Sequence, residues 1–479
     1  MLKALNKRGG IICMTTSKKE VRPFGARDRF GYLFGDFAND FTFVLSSTVL
    51  MKFYTDVMGV SALVIGVLMM AARIFDAFTD VIMGQICDRS KETPQGKFRP
   101  WIKRMAGPVC VASFLIYAPY FADKPMAFKI IWMFVTYLLW GSVFYTSINI
   151  PYGSMASALS ESPKDRQSLS TFRTVGSILA SMIVAIVLPL FCYYKDAAGN
   201  QMISGTKTMI FAGACSVAAF VLYMLCYGLT TERVHIAKNS EKFSLKVLLK
   251  TVFGDKSVIT IIICSLLLLL AQLTSAAMSN FIYPNYFGNA KIMAGASMAG
   301  IATTFIIAPF IGKLSTKFGR KQVAFVGAVI AAASMLAAFI MHTHNVGLWI
   351  MFTVIMNAGM GMINLVIWAM ITDVIDDNEV RTGVRSDGAI YSVYSFARKL
   401  GQAASSGLSG WLLTAAGYTA ATAFDTGVVN SIYNLTCLIP MAGFAILALV
   451  LFFLYPLNKE RVEANVAALK EKHGDKTNA

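Results

Sequence analysis

Two aspartates one helical turn apart, Asp76 and Asp80, lie inside a long apolar stretch, MAARIFDAFTDVIMGQI. An ionised carboxylate at bilayer depth costs at least a few kcal/mol unless something neutralises it. Side chains at this spacing project from one face of a helix, so the two acids converge on a single spot. Such a spot suits a small cation or a shared proton. Arg73, on the same face one turn earlier, offers the other use for Asp76, a structural ion pair. The chain shows no nucleophile-and-base constellation, no metal motif and no phosphate-binding glycine loop, so no enzymatic activity and no cofactor are expected. Its 8 cysteines contain no CxxC pair and fall mostly in apolar segments, where they read as small buried hydrophobes.

The elements that must carry these acids are membrane helices. The chain has 479 residues, 56% hydrophobic and 14% charged, against about 25% charged in soluble domains. Apolar stretches long enough to cross a hydrocarbon core of about 30 Å occur near 31–56, 60–86, 105–122, 128–158, 171–193, 208–229, 257–286, 293–316, 323–342, 346–376, 388–416 and 431–456. They predict an all-α membrane protein of twelve spans.

A net charge of +17 would suit nucleic acid, but its placement argues for a bilayer. Basic residues gather before the first span (Lys3 to Arg29) and after the second (Arg89 to Arg104), fourth (Lys164, Arg166), sixth (Arg233 to Lys250), eighth (Lys317, Arg320, Lys321) and tenth (Arg381, Arg385). The alternate loops carry few charges, which is the positive-inside pattern. It predicts a multi-pass protein of the cell membrane, inner or plasma, with both termini cytoplasmic, lipid as its partner and no nucleic acid.

The spans divide into two sets of six: 31–229 and 257–456, with a cytoplasmic segment 1–30, a polar linker 230–256 and a tail 457–479. In the linker Phe243, Val247, Leu248 and Val252 recur at helical spacing, as in an amphipathic helix at the membrane surface. GQICDRSKETPQGKFRPWIKR after the second span and GKLSTKFGRK after the eighth echo one another, as parallel repeats would.

The strings GDFANDF (35–41), FYTDVMG (53–59), ARIFDAFTDVIMG (72–84), GKFRPW (96–101), INIPYGSM (148–155), DRQSLSTFR (165–173), TDVIDDNE (372–379) and RSDGAIYSVYSFARKLG (385–401) resemble the glycoside-pentoside-hexuronide cation symporter family of the major facilitator superfamily. Melibiose permease is a member. The resemblance spans almost the whole chain, and the strings occur in order. It implies two six-helix halves that rock about a midplane site, coupling a sugar or glycoside to a monovalent cation, Na+ or H+ with Li+ as a further candidate, in a protein that works as a monomer.

The resemblance also implies roles. Asp76 and Asp80 match the family's cation-binding acids, with Thr79 and Thr146 at nearby polar ligand positions. Hard cations prefer oxygen ligands, which fits this set. Lys399 matches a lysine that lies near this site in the family, and a lysine buried there can balance the acids when no cation is bound. Asp40 and Arg173 match sugar-binding residues and Tyr145 an aromatic near the sugar, with Asn149 one turn later as a further substrate contact; Tyr145 and Tyr152 read as supporting contacts or as packing residues. Arg73, Asp373 and Arg385 are expected to form ion pairs that gate the cytoplasmic face, while Asp377 and Glu379 read as solvated loop charge.

Departures from the melibiose permease pattern bear on the substrate. Asn149 stands where that permease has an aspartate, Gly153 where it has a tryptophan, and Asn39 where it has a lysine. Losing an acid and a stacking ring disfavours a galactoside. An amide near Arg173 tolerates an anionic sugar better than two acids do, which gives a glucuronide-like hexuronide a modest advantage. A cation-coupled lysolipid carrier of the same fold is one alternative, although Asp40, Asn149 and Arg173 make the expected cavity polar. A non-transporting membrane sugar sensor is the other, although the tail from Leu457 is short for a signalling domain.

Overall fold

In a computed structural model the chain is described over residues 22–234, 255–383 and 387–475. The described helices are α1 (Ala26–Asp56), α2 (Ala62–Arg89), α3 (Arg99–Leu115), α4 (Met126–Leu159), α5 (Pro163–Phe191), α6 (Gly205–Leu229) and α7 (Lys256–Tyr286). They continue with α8 (Ile292–Phe318), α9 (Arg320–Met341), α10 (Val346–Thr382), α11 (Asp387–Ala415), α12 (Thr426–Leu454) and α13 (Lys459–Asp475). A short hairpin, Tyr193–Lys195 with Gln201–Ile203, links α5 to α6.

Among the described residues 9 helices are long and apolar enough to cross a membrane by length and composition. Two of the long helices outside that set carry charge along their length. α1 carries Asp28, Asp36, Asp40 and Lys52, and α11 carries Arg398 and Lys399. α4 widens into a π-helical turn over Leu139–Tyr145, a feature often found where a helix serves a site.

Packing separates the helices into two sets that meet along a few seams. α1 lies against α5 and α6, and α3 against α6; α9 lies against α10 and α12, and α7 against α11 and α12. The seams between the sets are α2 with α11, α5 with α8, and α1 with α7. At the first seam Gly66 and Gly410 bring the backbones together: a Cβ on Gly410 would stand 2.3 Å from the Ala62 carbonyl oxygen. Close backbone approach at small residues is how membrane helices gain packing when both helix and lipid are apolar.

The two echoing loops share a device. Gly96 (φ +109°) precedes α3 and Gly319 (φ +92°) precedes α9, in conformations that side chains with a Cβ rarely adopt. Beyond Gly96 the backbone N–H groups of Lys97, Phe98 and Arg99 donate to the Glu232 carboxylate at 2.7, 2.9 and 2.7 Å. These are amides at the start of α3, satisfied from the segment after α6.

The end of the bundle that bears the α1–α2 turn is closed by a buried clasp. Lys52 is 0% exposed and lies 2.8 Å from Asp56. Its ammonium also donates to Asn285 at 2.8 Å and to the Tyr418 oxygen at 2.6 Å, and it sits over the ring of Phe281 at 4.7 Å. The Tyr418 hydroxyl donates to Asp56 at 2.9 Å. One ion pair on α1 thereby holds the end of α7 and the turn after α11. At the other end, among the described residues, ion pairs form within a set: Arg22 and Arg233 with Asp28, Arg320 with Asp373, Arg381 with Asp255, and Arg461 with Asp377.

Three expectations change here. α1 starts at Ala26, ahead of the anticipated 31, and α3 ends at Leu115, ahead of 122. Asp377 and Glu379 are buried, because α10 runs on to Thr382 and α13 packs on its last turns; Asp377 accepts from Ser257 at 3.0 Å and from Asn465 at 3.0 Å. The amphipathic linker helix and Arg385 lie outside the described residues.

Replacing Lys52 by Met strands Asp56 in a dry setting, a change that costs about 3–5 kcal/mol. The thermal unfolding midpoint of the detergent-solubilised protein is expected to fall in Lys52→Met. It is expected to recover in Lys52→Met/Asp56→Leu, where no charge remains uncompensated.

Candidate functional site

α2 brings Asp76 and Asp80 between α4 and α11. Asp80 accepts from the Thr146 hydroxyl at 2.9 Å, and its other oxygen forms an ion pair with Lys399. Asp76 accepts from the Ser142 hydroxyl and lies 3.4 Å from the Arg73 guanidinium. Arg73 in turn sits over Phe43 at 4.8 Å, Trp140 at 5.6 Å and Tyr137 at 5.7 Å. Each acid therefore has its own base, one from its own helix and one from across the α2–α11 seam.

The oxygen atoms gathered here suit a hard cation. Thr146 meets Asp80 as anticipated, and Ser142, one turn earlier on α4, is a hydroxyl that sequence reasoning missed; the signal was its four-residue spacing from Thr146. Thr79 donates to the Asp76 carbonyl at 3.1 Å, which leaves only its oxygen lone pairs for a ligand. Among the described residues no group of three or more His, Cys, Asp or Glu side chains gathers as a metal site. The two bases are held differently: the Lys399 side chain is 27% exposed and comes from another helix, whereas Arg73 shares a helix with Asp76 and is caged by rings.

A second pair of acids at the same spacing, Asp36 and Asp40, faces α5 from α1. The Arg173 Nε–H donates to Asp36 at 2.9 Å, and Asp40 accepts from the Ser177 hydroxyl. Arg173 and Asp40 were both anticipated, but the arginine takes Asp36 as its ion-pair partner. The sequence signal for Asp36 is that GDFANDF repeats the acid spacing of IFDAFTD. Asn149 accepts from the Asn39 amide at 3.4 Å, and Asn39 accepts from the Tyr223 hydroxyl at 2.8 Å. The ring of Tyr145 stacks on Phe43 with centroids 5.9 Å apart.

Tyr152 serves as packing, and Arg73 and Asp373 each pair within their own helix set. Tyr152 is buried; its hydroxyl donates to the Tyr32 carbonyl at 2.7 Å and its ring backs the Arg173 guanidinium at 5.6 Å. Gly35 makes this possible, since a Cβ there would meet the Tyr152 ring at 2.3 Å. The tyrosine thus supports Arg173 and presents no free hydroxyl. Arg73 lies one turn from Asp76, well inside the span, and Asp373 pairs with Arg320 of α9, so these two gating candidates do not meet.

With this geometry in view, comparison with known proteins identifies the class. The model of the family described as MFS/sugar transport protein matches residues 31–459, and the chain belongs to that family. It is an all-α, multi-pass membrane carrier of the major facilitator type. The chain is 30% identical over 466 residues to the uncharacterized symporter YjmB of Bacillus subtilis (strain 168), covering 96% of this chain and 98% of that protein. It is 29% identical over 443 residues to the glucuronide carrier protein homolog of Escherichia coli (strain K12), covering 92% and 94%. The crystal structure of a D-xylose-proton symporter superposes with a TM-score of 0.64 at 16% identity, covering 90% of this chain and 98% of that one.

The Asp36–Arg173 contact carries a specific expectation. Asp36→Asn keeps an acceptor for the arginine Nε–H, whereas Asp36→Ala removes it. The alanine variant should therefore bind the transported solute more weakly than the asparagine variant, by about 1–3 kcal/mol. Equilibrium binding to the two purified variants measures the difference, and equal losses would show that the charge of Asp36 matters and its hydrogen bond does not.

Proposed function

We propose that this chain is a cation-coupled sugar symporter of the glycoside-pentoside-hexuronide type, taking up a glycoside or hexuronide with Na+ or H+. One observation carries the reading. Asp80 is held by Thr146 from its own helix set and by Lys399 from the other. A cation that binds the carboxylates displaces Lys399 and so alters a contact between the two sets. Ion occupancy and the relative position of the sets then become one equilibrium, which is what a coupled carrier needs.

Sugar enters the same equilibrium through α1 and α5. Asp36, Asp40, Arg173, Ser177 and Asn149 supply donors and acceptors suited to hydroxyls. Because α1 also carries the Lys52 clasp, a ligand that draws α1 and α5 together acts on the closure at the far end. Reciprocity follows: cation raises sugar affinity by the factor by which sugar raises cation affinity. The halves 31–229 and 257–456 are the natural rocking bodies, in the cell membrane with both termini on the cytoplasmic side. The polar lining disfavours a lysolipid as cargo. Similarity to a symporter and to a glucuronide carrier homolog supports the same reading.

Uptake of radiolabelled glucosides and glucuronides into membrane vesicles, with an imposed Na+ or H+ gradient, tests the proposal. Accumulation against a gradient is expected with one of the two ions. Asp76→Asn and Asp80→Asn should each abolish accumulation yet leave downhill exchange, because an amide satisfies packing but cannot balance a cation. Undiminished accumulation in both variants would place the cation site elsewhere.

A further inference from the structure

The charges at membrane depth pair off almost completely. Arg173 pairs with Asp36, Arg73 with Asp76 and Lys399 with Asp80. Among the described residues this leaves one acid and one base near the site without an opposite charge at ion-pair distance: Asp40, held by the Ser177 hydroxyl, and Arg398. Asp40 already has a use in the proposed sugar site. Arg398 has none, although it adjoins Lys399 on α11 and a cation at this depth is costly to keep unpaired.

The surroundings of Arg398 are aromatic. Its guanidinium lies over the ring of Trp368 at 5.3 Å and over the ring of Tyr394 at 5.9 Å, with Nη1 3.5 Å from the Tyr394 hydroxyl. Trp368 belongs to a stripe on α10, Asn357, Gly361, Asn364 and Trp368, whose spacing places all four on one face. That face is turned toward neighbouring helices: Asn357 abuts Gly300 and Gly361 abuts Ile307, both of α8, and Asn364 approaches Gln272 of α7 at 3.5 Å. Asparagines on a membrane helix mark the side that faces the bundle interior. Trp368 is nonetheless 46% exposed, so there is room beside the ring and beside the guanidinium it backs.

We propose that Arg398, backed by Trp368 and steadied by Tyr394, receives the carboxylate of an acidic sugar, so that the carrier's anion-recognition point lies on α11 and α10, across from the hydroxyl-binding residues of α1 and α5. This rests on the sugar-carrier reading above and names the substrate class within it. An arginine fork matches a carboxylate in the plane of its N–H groups, while its face remains free to lie on an indole. Arg173 is less suited to the task because Asp36 already neutralises it, whereas Arg398 brings a positive charge with no acid to share it. Asp40 on one side and Arg398 on the other would then order a uronide by its two chemically different ends.

The test is competition binding on the purified, full-length protein with a glucuronide and the neutral glucoside of the same aglycone. Arg398→Gln is expected to weaken the glucuronide on the order of 100-fold, as loss of a desolvated charge partner does, and to leave the glucoside within about threefold. Arg398→Lys keeps the charge without the fork and should fall between. If the glutamine variant does not assemble, the lysine variant carries the same test: a loss confined to the glucuronide supports the assignment. An unchanged glucuronide-to-glucoside ratio in the variants overturns it, as does a wild-type protein that binds the glucoside and refuses the glucuronide; in both cases the sugar-carrier reading stands. Failure of the wild type to bind either sugar overturns both readings.

Discussion

The arrangement depends on one electrostatic constraint: a carboxylate removed from water must be matched by a positive charge or by several hydrogen-bond donors. α1 and α2 each carry two acids at one-turn spacing into the bundle interior, and the neighbouring helices are arranged to answer them. Ser142 on the π-widened part of α4 and Thr146 just after it, Arg73 within its ring cage, Lys399 from α11, and Arg173 and Ser177 from α5 all terminate on one of these four acids. None of the four is left to hydrocarbon.

Where the partner of an acid originates decides what its removal does. Arg73 and Asp76 share a helix, so their contact is indifferent to how the two helix sets sit. Lys399 and Asp80 span the α2–α11 seam, the same seam at which Gly66 and Gly410 let the backbones touch. The Lys52 clasp spans sets as well, through Asn285 and Tyr418. By contrast, the ion pairs around Asp28, Asp255, Asp373 and Asp377 are internal to one set and brace each set as a body. Contacts internal to one set are indifferent to how the sets sit, whereas contacts across a seam depend on it.

Much of this was legible in the sequence. Apolar stretches with basic residues in alternate loops required membrane helices, because a backbone in hydrocarbon must satisfy its own hydrogen bonds. Acids inside those stretches had to be partnered, and the spacing of Asp76 and Asp80 placed them on one face before any partner was known. The strings around Asp40, Asp76, Asn149, Arg173 and Lys399 pointed to a sugar carrier, and the match to the sugar transport family over residues 31–459 agrees with that class.

Only the tertiary structure decided who pairs with whom. Spacing along one helix constrains which side chains share a face, but not which residue of another helix arrives there, because helix rotation and seam contacts are set by packing over the whole bundle. Hence Arg173 turned to Asp36, Tyr152 was drawn beneath Arg173 by the gap at Gly35, Arg73 settled among rings away from Asp373, and Asp377 was buried under α13. The sequence by itself determined that these charges must be compensated inside a membrane. The three-dimensional packing decided the partners, since only it brings together residues that lie up to 366 positions apart, as Lys52 and Tyr418 do.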